Sequence, residues 1–254
     1  MKEHELRLKT LLTGQQFVDD AQKDESLENA KEYAYAYAQA TNGIAVISDL
    51  QQDVCYIYSG KFGHALGLPD YTENSSSAFE SEIFNTIPAD ELLERHILEL
   101  RFYHFLQSIP VEERPDYNAF CLIHLRQPDG TTLSVLHTIR YIICNTNGSL
   151  WLGLCTYVPF PLAHGSVEGC MTNTRTGKAV DSDQYLQYDN LLLSKRQVEI
   201  LSMLAKGVGS KQIAYKLNIS VHTVSRHRQD ILSRLRVTNT AAAVEIGFRM
   251  HLIH

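Results

Sequence analysis

The sequence predicts an α+β chain in two parts: an N-terminal antiparallel sheet with helices, then a C-terminal all-α four-helix module. Three observations carry this. Two connections in the body, Pro128-Asp129-Gly130 and Asn145-Thr-Asn-Gly148, have the chemistry of hairpin turns between long apolar strand-like runs. After Leu193 the pattern changes to short amphipathic helices, each preceded by a residue that suits an N-cap. Charge is also divided. Residues 191–254 hold ten basic and three acidic side chains, +7, and since the whole chain is −6 the remainder carries −13.

Taken in order, residues 1–40 read as a helical, acidic segment with Leu8, Leu11, Leu12 and Phe17 as its apolar set. The alternation Tyr33-Ala-Tyr-Ala-Tyr37 is assigned to helix, because the alanines and the flanking Glu32 and Gln39 favour it. Its aromatic stripe is read as a packing or dimer contact, and Asn42-Gly43 ends the segment. Two short strands follow, GIAVISDL and DVCYIYS, across a polar QQD turn. Lys61–Leu68 reads as a short helix stopped by Pro69. Tyr71–Glu80 reads as a Ser-rich loop, and Ile83–Ile109 as a longer helix broken at Ile87-Pro88. Three strand-like runs close the body: NAFCLIHLRQ, TTLSVLHTIRYIIC and SLWLGLCTYVPF. Polar, turn-rich Gly165–Tyr188, with Thr174-Arg-Thr-Gly177 suited to a hairpin or loop, reads as a connector. The expected organisation is 1–40 helical segment, 41–160 sheet body, 161–190 connector and 191–254 helical module.

Four helices are expected in that module. Ser194 and Gln197 make an S-x-x-Q capping box, Val198, Leu201, Leu204 and Ala205 give an apolar face, and Gly207 ends the first helix. The second starts at Ser210, buries Ile213, Ala214 and Leu217, and stops at Asn218-Ile219. Ser220 caps the third, SVHTVSRHRQDILSRLRV, and the fourth follows Thr238-Asn239. On the third, Val224, Ile231 and Leu235 form the inward stripe. His222, Ser225, Arg226, Gln229 and Ser233 form a polar face without an acid, suited to base edges in a major groove. Lys211, Arg228 and Arg234 are candidates for phosphate contacts.

The run LSKRQVEILSMLAKGVGSKQIAYKLNISVHTVSRHRQDILSRLRV resembles the LuxR-type helix-turn-helix over nearly its whole length. The matching residues are Leu193-Ser194 with Arg196, Glu199-Ile200-Leu201, Ala205, Gly207, Lys211-Gln212-Ile213-Ala214, Leu217-x-Ile219-Ser220, Thr223-Val224, His227, Ile231 and Leu235-x-Val237. The resemblance implies that the third helix reads DNA and that the fourth supports dimerisation. It adds Thr223 to the DNA-binding candidates. Three residues depart from the family pattern: Gln197 in place of Glu, Ser225 in place of Lys, and Thr240 where an Arg is expected after Asn239. The order of elements in the body, two strands, helices and a three-stranded meander, resembles a PAS sensor domain over about Thr41 to Phe160.

These readings predict a sequence-specific, signal-responsive transcription regulator with double-stranded DNA as partner. It is expected to work as a homodimer, with a small-molecule ligand as the candidate signal for the PAS-like body. No catalytic residue, metal ligand or cofactor is assigned. The histidines His64, His96, His104, His124, His137 and His164 show no metal-binding spacing, which weakens a haem or metal sensor or an enzyme fused to the module. A phosphoacceptor receiver needs a parallel sheet with helical crossovers, which the hairpin turns contradict. Cys55, Cys121, Cys144, Cys155 and Cys170 are odd in number and scattered, as reduced core thiols would be. Met1–Thr10 is charged and lacks the apolar core of a signal peptide, and no apolar run approaches the roughly 20 residues of a membrane span. A cytoplasmic location is expected.

Overall fold

The computed structural model describes residues 3–19, 22–161, 169–186, 188, 193–235, 237–249 and 252–253. It divides into two compact units, Met1–Gln184 and Tyr185–His254.

The first unit is built on one antiparallel sheet of eight strands in the order β3-β2-β1-β6-β5-β4-β7-β8. β1 (Ile44–Asp49) and β2 (Val54–Ser59) form the first hairpin, in register from Ile44↔Ser59 to Asp49↔Val54. Its turn is shaped by Asp49, whose Oδ1 accepts from the backbone N–H groups of Gln51 and Gln52, both at 3.0 Å. β4 (Tyr117–Arg126), β5 (Thr132–Cys144) and β6 (Leu150–Pro159) form the meander. Gly130 and Gly148 sit at the two predicted turns with φ 88° and 90°, a region that L side chains avoid. β6 returns beside β1, from Ile44↔Tyr157 to Asp49↔Leu152, which closes the PAS-like order. Every strand pair among the described residues is antiparallel, so a receiver fold is excluded.

The first forty residues are not one helix. α1 (Glu3–Thr13) packs on α5 (Ala89–Gln107), and α2 (Lys23–Thr41) covers the sheet. Between them the chain is pinned to the β5–β6 turn. Gln15 accepts from Leu150 N at 2.9 Å and donates to Leu150 O at 3.2 Å, and Asn145 donates to Val18 O at 3.0 Å. α2 turns its alanines inward: Ala30, Ala34 and Ala38 pack with Ala45, Ile47, Tyr56, Trp151 and Leu152. Tyr33 and Tyr35 point out, 72% and 56% exposed.

α3 (Lys61–Ala65), β3 (Tyr71–Asn74) and α4 (Ser81–Phe84) follow. β3 replaces part of the expected loop. It pairs with β2 through Tyr58↔Tyr71 and Cys55↔Asn74, and its polar residues suit an edge strand wetted on both sides. Pro88 separates α4 from α5, as its φ of −51° and missing N–H require. The one-turn 3-10 segment η1 (Val111–Asp116) leads into β4. The stretch expected as a connector also contains structure. β7 (Cys170–Asn173) extends the sheet beyond β4 from Tyr117↔Asn173 to Phe120↔Cys170, and β8 (Lys178–Ala179) folds back on it. Thr174–Gly177 is the tip of that hairpin. Residues 162–168, 187, 189 and 190 of the expected connector, His164 among them, lie outside the described residues.

The face opposite α2 is occupied by charge. Arg95 on α5 donates from Nη2 to Glu80 Oε1 at 3.1 Å, from Nη1 to Glu99 Oε2 at 3.0 Å and from Nε to His137 Nε2 at 3.2 Å. Tyr157 donates to Glu80 at 2.7 Å and Tyr141 to Glu99 at 3.1 Å. Burial pushes the Glu99 carboxyl up against the pull of Arg95, and burial beside that guanidinium holds His137 well below its ordinary range. All five cysteines are free. Burial raises the Cys121 thiol to about 12 and that of Cys144 to about 11, as inert fillers require.

Candidate nucleic-acid interface

The one-turn helix α6 (Asp183–Leu186) spans the division between the units, and among the described residues the second unit then carries four helices: α7 (Lys195–Ala205), α8 (Ser210–Leu217), α9 (Val221–Leu235) and α10 (Thr240–Arg249). The expected capping box is present. Ser194 Oγ accepts from Gln197 N at 3.3 Å, and Gln197 Oε1 accepts from Ser194 N at 2.9 Å. The amide thus serves where the family has Glu. Gly207, at φ 73°, ends α7 in the left-handed region, with its N–H on Leu204 O at 3.0 Å. Asn218 ends α8 in the same way at φ 53°. Ser220 Oγ accepts from Thr223 N at 3.0 Å to start α9, and Asn239 Oδ1 accepts from Ala242 N at 2.9 Å to start α10.

The core is made of Leu193, Ile200, Leu201, Ile213, Ala214, Val224, Ile231, Leu235, Ala243 and Ile246, all buried. This packing fixes which side of α9 faces out. His222, Ser225, Arg226, Gln229 and Arg234 are exposed on α9, and Lys211 is exposed on the first turn of α8. The outer face therefore offers donors at helical spacing, and the single acid of α9, Asp230, is partly covered beside it. Such a surface can hydrogen-bond base edges and phosphates.

Two expected contacts sit differently. Thr223 is engaged in the cap, with its hydroxyl 2.8 Å from Ser220 Oγ. Arg228, expected at a phosphate, is half-buried and bonded within the module, to Ser210 and Thr240. Two residues of the surface were missed by the periodicity argument. Val221 opens α9 with 44% of its surface exposed, and Tyr215 on α8 is 90% exposed. Val221 lies three residues before Val224 and so looks inward on spacing alone. The signal that could have found it is its place at the first turn, where the stripe has no neighbour to pack on. Arg236, counted in the charge of this half, lies outside the described residues.

Residues 191–246 match the family described as "Bacterial regulatory proteins, luxR family". The second unit is therefore a LuxR-type helix-turn-helix domain. Among curated proteins, the oxygen regulatory protein NreC of Staphylococcus aureus (strain bovine RF122 / ET3-1) is 36% identical over 98 residues, 39% of this chain and 43% of that protein. NreC of strain JH9 is 35% identical over the same shares. The chain thus spans less than half the length of the curated relatives it matches. Among solved structures, a Vibrio cholerae VqmA dimer is 15% identical with TM-score 0.28, covering 90% of both chains. Escherichia coli SdiA is 15% identical with TM-score 0.25, covering 98% of this chain and 97% of its own.

Proposed function

We propose that this chain, with its LuxR-type helix-turn-helix domain, is a sequence-specific DNA-binding transcription regulator that responds to a signal through its PAS-like body. One observation carries the reading: α9 is held by three helices with an outward face of His222, Ser225, Arg226 and Gln229 and no exposed acid. Arg226 and Gln229 are assigned to base edges. Val221 offers its methyl groups to a thymine methyl, and Lys211 and Arg234 take phosphates. His222, Thr223 and Ser225 line the same approach. The chain is assigned no enzymatic activity.

One helix reads only a few base pairs, so the working form is assigned as a homodimer on two half-sites. The described helices include none long and apolar enough to cross a membrane, which fits the proposed cytoplasmic location. A half-open cavity of about 500 Å³ between α1 and α4, lined by Lys9, Ser77, Phe79, Ser81, Phe84 and Asn85, lies in the size range of small-molecule pockets and supports a ligand as the signal.

The test is a site selected from random duplexes by the wild-type protein, followed by titration of variants. Arg226→Ala and Gln229→Ala each cost about 1–3 kcal/mol on the selected site and relax its sequence. Lys211→Ala weakens all sequences alike and lowers the salt slope by about one unit. Unchanged binding in all three variants overturns the reading.

A further inference from the structure

Arg228 projects from the middle of α9, and its guanidinium is spent inside the module. Nη1 donates to Ser210 Oγ at 2.8 Å, and Nη2 donates to Thr240 Oγ1 at 2.9 Å. Those hydroxyls belong to the first residues of α8 and α10. A single planar fork therefore joins the recognition helix to the starts of both neighbouring helices. The two bonds leave from different nitrogens, so the fork fixes direction as well as distance.

The placement has an electrostatic peculiarity. Helix N-termini carry partial positive charge, and two of them meet a full cation here. Both partners are neutral hydroxyls, so no opposite charge in this trio balances the guanidinium. A buried apolar residue would hold the helices together without that repulsion. What the arginine adds is geometry. It couples the rotation of α9 about its own axis to the positions of α8 and α10. Four residues of the outward face, His222, Ser225, Arg226 and Gln229, keep their aim at base edges only while that rotation is held.

We propose that Arg228 is a positioning residue for sequence reading: through Ser210 and Thr240 it sets the orientation of α9, and it makes no contact with DNA. Thr240, one of the three departures from the family pattern, is on this account the matching half of the device. The proposal rests on the DNA-binding reading above.

A phosphate contact and a positioning clamp leave different signatures. A phosphate contact contributes equally on all sequences and adds about 0.9 to the slope of log affinity against log salt. A clamp changes the ratio of specific to non-specific affinity and leaves that slope alone.

The experiment uses the full chain on the selected duplex and on a scrambled duplex, across a salt series. The variants are Arg228→Lys, Arg228→Met, the pair Ser210→Ala with Thr240→Val, and that pair combined with Arg228→Lys. Lysine keeps the charge and cannot bridge two hydroxyls in the plane of a fork. Arg228→Lys is expected to keep scrambled-duplex affinity within about twofold and the salt slope unchanged, while the specific-to-scrambled ratio falls about tenfold or more. The hydroxyl pair gives the same loss, and adding Arg228→Lys to it gives no further loss. Circular dichroism and thermal melting on each variant separate misfolding from misreading.

Three results overturn the proposal. If Arg228→Lys keeps the full ratio while Arg228→Met lowers both affinities and the slope, Arg228 is a phosphate contact. If melting temperatures fall with the ratio intact, the clamp is purely structural. If the losses of the hydroxyl pair and Arg228→Lys add, the three residues do not act together. A wild-type protein that selects no sequence overturns the DNA-binding reading itself and this proposal with it.

Discussion

Arg95 and Glu80 face each other at 3.1 Å with both side chains 2% exposed, an ion pair in the interior of the sheet-built first unit. Glu99 joins them from one helical turn along α5, 3.0 Å from Arg95 and 6% exposed. Removing the arginine leaves two carboxylates in the core that keep the hydroxyls of Tyr157 and Tyr141 and lose the charge that balances them. Arg95→Ala is expected to cost about 3–5 kcal/mol. Urea denaturation followed through Trp151, the one tryptophan of the chain, reads the body directly. A loss below about 1 kcal/mol would show that the cluster admits water.

The same cluster sets a pH dependence through His137. Its Nε2 accepts from Arg95, its Nδ1 lies 3.3 Å from Thr156 O, and its ring stacks on Tyr157 at 4.6 Å. With the folded pKa held below the ordinary value, the unfolded chain takes up a proton below about pH 6.5 and the folded chain does not. This contribution is full above that pH and is lost as pH falls toward the folded pKa. Glu99, raised in the fold, works in the opposite sense, its contribution falling as pH rises above the ordinary carboxylate range. His137→Gln removes only the first effect. Between pH 6.5 and 5, wild type is expected to lose up to about 1.4 kcal/mol per pH unit more than the variant. Parallel stability curves would place the proton uptake elsewhere.

Local chemistry made much of this molecule legible in the sequence. The Ser194–Gln197 box, the left-handed ends at Gly207 and Asn218, the turns at Gly130 and Gly148 and the break at Pro88 all depend on residues within four positions of one another. The outward face of α9 followed from the inward stripe of Val224, Ile231 and Leu235. What stayed hidden depends on distant partners. β3 and β7 are four residues each, and it is their pairing with Cys55–Tyr58 of β2 and Tyr117–Phe120 of β4 that makes them strands. Arg95 and Glu99 at i, i+4 look like a solvated helix pair, and nothing nearby in sequence reveals that Glu80 and His137 close over them. The bonds of Arg228 inside the module were hidden for the same reason: its partners stand 18 and 12 residues away.

Gly207 tests the helix end by itself. It has φ 73°, and a Cβ placed there meets nothing within 4 Å, so a substitution carries conformational strain and no clash. Gly207→Ala is expected to destabilise the helix-turn-helix domain by about 1 kcal/mol, whereas Gly207→Asn, which tolerates this region, loses less. Thermal melting of residues 185–254 measures both. Equal losses would point to a lost contact in place of backbone strain.

Dimer formation through α2 is the remaining expectation, and the packing of that helix decides how to test it. Ala30, Ala34 and Ala38 are buried against the sheet, so deleting residues 1–40 would uncover Ile47 and Trp151 and unfold the body, and point substitutions on the outer side are the usable test. Tyr33 and Tyr37 stand one turn apart on the other side, 72% and 38% exposed. Large aromatic side chains left open on a helix mark an interaction surface, and truncating them does not touch the core. The double variant Tyr33→Ser, Tyr37→Ser is expected to keep the stability of the monomer within about 0.5 kcal/mol. Its dimer dissociation constant should rise about tenfold or more, seen by sedimentation across a dilution series. Binding to a two-half-site duplex should then weaken at low protein concentration and recover at high concentration, because the second half-site is reached only through the dimer. If the dissociation constant and the concentration dependence both match wild type, these tyrosines do not form the interface.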